Sequence, residues 1–169
     1  KDWARVSNGM FGLNSIARRG LEYAYWSEAL TKKELRNRVA LAKLKRPERA
    51  IEKQLRSYQG DASRLVDICR QSVVYAKIGD IVRCLEEVTE DTEIMLLRVK
   101  NRLHHGYDAN ATVGYRDVQL NLRIVNPETL RLCVDTHVCE VQLILKEFAE
   151  KKSDQGHKRY VEFRNNLAE

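Results

Sequence analysis

Tyr115-Arg116-Asp117-Val118-Gln119-Leu120-Asn121-Leu122-Arg123-Ile124-Val125 alternates residue by residue. Val118, Leu120, Leu122 and Ile124 fall on one side of an extended chain, and Asp117, Gln119, Asn121 and Arg123 on the other. That is the period of a strand with one face in a core. Asn126-Pro127-Glu128-Thr129 follows as a turn, and Leu130–Val134 and His137–Leu143 read as further strands. Strands joined by short turns pair antiparallel. Toward the N-terminus, Ile94–Val99 reads as a strand and Ile78, Ile81, Val82, Leu85 and Val88 as the apolar face of a helix. Ser72–Tyr75 reads as a short, buried, β-branched strand. This order predicts an α+β fold, with one mixed, largely antiparallel sheet flanked by helices.

The first sixty residues read as helix. Leu13, Ile16, Ala17, Leu21 and Ala24 recur at the helical period. Thr31 with Glu34 resembles a capping box, and Leu35, Val39 and Ala42 continue a second helix. Pro47 suits the first turn of a third, whose buried stripe is Ile51, Leu55 and Tyr58. Gly60 stops that helix and Asp61 caps the next element. The chain thus divides into a helical N-terminal arm, 1–60, and an α/β core, 61–169, within one compact domain. From about Leu145 the sequence returns to helix, broken near Asp154–Gly156. Asn101–Val113 is a long polar connection, of a kind that often carries function.

The chain has 169 residues, 43% hydrophobic and 32% charged, with 8 Gly and 2 Pro, which excludes collagen-like and disordered classes. Apolar runs such as Ile94–Leu97 fall far short of the ~20 residues that span a bilayer. The first residue is Lys1, so the parent protein is expected to be longer than this chain. The cysteines at 69, 84, 133 and 139 form no C-x-x-C pair and the four histidines show no ligand spacing. Buried, reduced thiols in a cytoplasmic compartment are expected. Net charge is +6, which favours an anionic partner. Lys43, Lys45, Arg46, Arg49, Lys53 and Arg56 cluster within fourteen positions against Glu48 and Glu52. A phosphate-binding face and a solvated helix face both fit that cluster.

Three polar clusters interrupt the apolar strands: Asp67 with Arg70, Gly114-Tyr115-Arg116-Asp117, and Glu140-Val141-Gln142. Glu140 and Gln142 share a strand face, away from Cys139, Val141 and Leu143. Asp67 also reads as a turn residue, Glu140 as a solvated strand residue, Tyr115 as a half-buried aromatic and Arg116 as a surface ion-pair partner. If Asp67 and Glu140 meet across neighbouring strands, they make a hard-oxygen pair suited to Mg²⁺ carried by a nucleotide.

Asp67-Ile68-Cys69-Arg70-Gln71-Ser72-Val73-Val74, Gly114-Tyr115-Arg116-Asp117-Val118-Gln119-Leu120 and Glu140-Val141-Gln142-Leu143, in this order, resemble the synthetase domain of the RelA/SpoT family. Those alarmone synthetases move pyrophosphate from ATP to the 3′-hydroxyl of a guanosine nucleotide. The family shows an Asp-Ile-x-Gly-x-Arg strand start, then Gly-Tyr-Arg-Ser-x-His, then Glu-x-Gln-x-Arg, with a basic helix before them. Lys45 and Lys53 have that helix's eight-residue lysine spacing, and His157 is similar to a histidine after the last motif. The resemblance spans residues 43 to 164. It implies that Asp67 holds Mg²⁺, that Glu140 binds the metal or acts as base on the acceptor hydroxyl, and that Tyr115 stacks on the acceptor base. It further implies that Lys45, Arg49 and Lys53 hold ATP phosphates, and that Arg116 and Gln142 orient substrates. GDP or GTP is the acceptor it implies.

The sequence departs from the family in ways that mark a divergent branch. Arg70 stands in place of Gly, Ser72 of Arg, Asp117 of Ser and Gln119 of His, and Ala111 replaces a lysine. Arg70, Lys100 and Arg102 are candidate replacement cations. Relatives of this fold include toxins that act on adenosine nucleotides or on the tRNA 3′ end. The resemblance therefore also carries a second reading, an effector module acting in a target cell's cytoplasm. A third is a non-catalytic nucleotide- or RNA-binding domain.

Overall fold

The computed structural model describes residues 2–14 and 22–151. In chain order the elements are α1 (Trp3–Val6), β1 (Met10–Gly12), β2 (Tyr23–Tyr25), α2 (Trp26–Thr31), α3 (Lys33–Arg38), α4 (Pro47–Tyr58), β3 (Cys69–Tyr75), α5 (Ile78–Glu90), β4 (Ile94–Asn101), β5 (Val118–Ile124), α6 (Pro127–Arg131), β6 (Cys139–Leu145) and α7 (Lys146–Lys151). The strands form one sheet in the order β2-β1-β3-β6-β5-β4. β3 and β6 run parallel and the other neighbours antiparallel. This is the mixed, largely antiparallel α+β sheet that the alternation predicts.

β5 and β6 are antiparallel neighbours, with Val118 opposite Leu143 and Leu120 opposite Val141. Their apolar faces, with Val73 and Tyr75 of β3, close against Ile81, Cys84 and Val88 of α5. Each large side chain buried there contributes about 1.5–3 kcal/mol. The opposite face is polar at the centre. Arg70 and Ser72 of β3 lie in register with Glu140 and Gln142 of β6, which lie in register with Asn121 and Gln119 of β5. Apolar cover on this side sits at one end, where Met10, Val74, Ile144 and Ala149 pack with Tyr23, Tyr115 and Phe148. The polar centre is left for a site.

The described residues among the first sixty are not helical throughout. β1 and β2 extend the sheet beyond β3, because Tyr23-Ala24-Tyr25 suits a pleat and Phe11 meets Trp26 edge to face at 5.1 Å. Ile16, Ala17 and Leu21 lie outside the described residues. Thr31 ends α2, its hydroxyl donating to the Glu28 carbonyl, and caps no new helix. The following helix stops at Arg38, and Val39 forms a β-bridge with Leu13. Pro47 does open α4, and Asp61 does cap the next turn through Ser63 N–H. The stripe on α4 is reversed: Ile51 and Leu55 are 55% and 65% exposed. Leu130–Val134 is not a strand, since Asn126 and Thr129 build a capping box that starts α6. All four thiols are free; Cys84 is buried as expected, but Cys133 is exposed. The predicted break at 154–156 lies outside the described residues. Among the described residues no helix is long and apolar enough to cross a membrane.

Candidate active site

A cleft of about 1020 Å³ opens over the polar centre of the sheet, between the approach to α4, β3, β5, β6 and the loop ending at Tyr115. Asp67 and Glu140, more than seventy positions apart in sequence, both line it and are 5% and 4% exposed. Lys45, Arg49, Lys53, Arg70, Tyr115 and Gln142 line it too.

Asp67 is reached from two directions. Lys45 is not on the basic helix as its spacing suggests, because the chain becomes helical only at Pro47. Its backbone N–H donates to the Ile68 carbonyl at 2.9 Å, which pins it beside the start of β3. Its ammonium bonds Asp67 Oδ2. Lys53, one and a half turns into α4, reaches the same oxygen at 2.9 Å. This explains why α4 turns its polar side inward. Burial pushes the Asp67 carboxyl up, but hydrogen bonds from the two lysines outweigh it and hold the group below the usual carboxylate range. Burial pulls Lys45 below its ordinary value despite Asp67. Burial also lowers Lys53, but Asp67 and Tyr58 together leave it raised.

Glu140 is fixed by amides. Gln142 Nε2 donates to Oε1 at 2.6 Å, and Gln119 Nε2 donates to Oε2. Ser72 Oγ donates to Gln142 Oε1 at 3.0 Å and sets that amide's orientation. Tyr115 lines the cleft just before β5. Its hydroxyl donates to Asp117 Oδ2 at 3.1 Å, and burial, then Asp117, raise its pKa. Asp117 is fully buried, and Arg102 Nη1 meets its other oxygen at 2.5 Å.

Some expectations fail. Arg116 does not line the cleft. Its guanidinium donates to the carbonyls of Arg102, His104 and Tyr107 and lies over the Tyr107 ring, so it braces the 101–113 loop. Arg49 stays at the rim, paired with Glu52. Lys100 sits in register with Gln119 but is not a lining residue. His157 lies outside the described residues. Asp117 and Gln119, given no site role from sequence, prove structural to the site. Both lie on the polar parity of the alternation; the β5–β6 register brings Gln119 to Glu140, and Asp117 ties Tyr115 to Arg102.

A divalent cation fits this donor set in one way. Asp67 Oδ1 is buried with no hydrogen-bond partner among the described residues, an acceptor available to a hard cation. No group of three or more His, Cys, Asp or Glu gathers among those residues. The fit is therefore to a cation that brings most of its own ligands, as Mg²⁺ does on phosphates.

At the level of sequence, no family profile and no curated protein matches the chain. Solved structures do. The small alarmone synthetase 1 of Bacillus subtilis, bound to its product pppGpp, superposes with a TM-score of 0.56 at 15% identity, over 75% of this chain and 67% of that one. The small alarmone synthetase 2 of the same organism gives 0.55 at 18% identity, over 84% and 77%. The chain has the alarmone-synthetase fold. A GTP pyrophosphokinase family protein from Streptococcus pneumoniae shares that fold at a TM-score of 0.50 and 14% identity, over 70% of this chain and 56% of its own. In a second structure of small alarmone synthetase 1 the match spans 53% of that protein, about half its length.

Proposed function

We propose that this domain is a nucleotide pyrophosphokinase that transfers pyrophosphate from ATP to the 3′-hydroxyl of a guanosine nucleotide. The observation that carries the reading is the convergence of Lys45, Lys53 and Asp67 with Glu140 and Tyr115 on one cleft. Lys45 and Lys53 would hold donor phosphates, with Arg70 and the rim arginines adding positive potential. Tyr115 would offer a ring to the acceptor base. Glu140, clamped by Gln119 and Gln142, would take the proton of the attacking hydroxyl. The acceptor oxygen then bonds to the β-phosphorus while the bond to the α-phosphate oxygen breaks, and AMP leaves. Asp67 would hold Mg²⁺, which supplies neutralisation of charge on the phosphate oxygens. Fold likeness to small alarmone synthetases, one of them bound to pppGpp, supports the choice of chemistry and acceptor.

The test is turnover of radiolabelled ATP with Mg²⁺ against GDP, GTP, ADP, AMP and tRNA. Labelled pyrophosphate on GDP or GTP is the expected product. Label on ADP, AMP or tRNA would move the reading to the effector class, and no transfer to any acceptor would overturn it. Glu140→Gln should bind nucleotide and lose transfer by at least about a hundredfold, the low end for a general base.

A further inference from the structure

Two ammonium groups share one carboxylate oxygen in this cleft. Lys45 and Lys53 both bond Asp67 Oδ2, while Oδ1 is buried with no hydrogen-bond partner among the described residues. The lysine side chains are only 12% and 27% exposed. The cations best placed to hold a phosphate are thus already satisfied by an internal anion. A polyphosphate without a cation must displace that carboxylate and then lie beside its negative charge.

We propose that Asp67 is a latch: it keeps Lys45 and Lys53 until it takes a divalent cation, and only then releases them to polyphosphate. The inference rests on the nucleotide-binding reading of the cleft and adds how the cleft is loaded. Cation and polyphosphate then bind synergistically, and by linkage each strengthens the other by the same factor. Asp67 plays two parts in sequence, counter-ion first and metal ligand second. Glu140 plays no part in the latch, because its oxygens are held by the neutral amides of Gln119 and Gln142.

The experiment uses inorganic triphosphate as probe, so it needs no turnover. Its affinity is measured by calorimetry, with and without Mg²⁺, for the wild type, Asp67→Asn and Glu140→Gln. The two variants remove the same charge from the same cleft, but only the first frees the lysines. Expected without Mg²⁺ is binding about tenfold tighter in Asp67→Asn than in the wild type, within the usual ~5–150-fold range of site coupling. Glu140→Gln should change it by less than about threefold on the same scale. Equal gains in both variants would mean general electrostatics and would overturn the latch, as would no gain in Asp67→Asn. Should Asp67→Asn fail to fold, nitrogen-15 spectra of the wild-type lysine ammonium groups decide. Mg²⁺ alone should shift the Lys45 and Lys53 signals, and signals unmoved at saturating Mg²⁺ would overturn the proposal. A protein that binds triphosphate in this manner yet transfers no pyrophosphate would refute the enzymatic reading and keep the latch.

Discussion

Tyr115 is tied at its hydroxyl to Asp117, and Asp117 is tied in turn to Arg102. A ring held at its far end presents a fixed face, so Tyr115→Phe tests position as well as stacking. It should keep most transfer activity, whereas Tyr115→Ala should lose the base–aromatic contact, about 1–3 kcal/mol, read as a raised KM for the acceptor. Asp117→Asn leaves Arg102 without its anion and should cost about 3–5 kcal/mol of stability in urea unfolding, the scale for breaking a buried pair. Asp67 makes a prediction in pH. Its folded-state pKa is depressed by Lys45 and Lys53, so its stabilisation is fully present above the unfolded value near 3.9. It is lost as pH falls through the folded value. The stability gap between wild type and Asp67→Asn should therefore be constant from about pH 5 to 7 and close in stronger acid. A gap that persists unchanged at the lowest pH would show that the lysine bonds do not stabilise the fold.

At the scale of elements, β5 and α4 behave oppositely. The period of β5 is a local property, so the alternation from Val118 to Ile124 was enough to place its core face. The face of α4 depends on a partner outside the helix: Asp67 draws Lys53 inward and leaves Ile51 and Leu55 outside. Hydrophobic periodicity ranks faces by transfer energy and cannot see a buried carboxylate that two lysines must satisfy. β1 and β2 were missed for a related reason, since three-residue strands exist by pairing with their neighbours, β2 with β1 and β1 with β3, rather than by their own pattern. Of the site, Asp67, Glu140 and Tyr115 were legible as residue types in motifs. The Arg102–Asp117 pair and the Gln119 contact to Glu140 were not, because they follow from the β4–β5 and β5–β6 registers. Substitution separates the two kinds of apolar residue. Ile51→Gln with Leu55→Gln should change stability by no more than about 0.5 kcal/mol each, as surface positions do. Leu120→Ala, under α5, should cost about 2–5 kcal/mol. A large loss from the α4 pair in thermal unfolding would mean that the helix packs the other way round.

For the whole molecule, the sheet order has a consequence in time. β3 and β6 lie side by side in parallel, yet Ser72 and its partner Gln142 are 70 positions apart. A ribosome adds about 5–20 residues per second, so roughly 4–14 s separate the two strands at birth. Throughout that interval β3 has an open edge, α5 has half of the surface it covers, and Asp67 faces a cleft without Glu140. An unpaired strand edge of this kind is a template for pairing with other strands. The polar cleft is completed and the open edge of β3 covered in one event, when residues 139–145 enter the gap between β3 and β5.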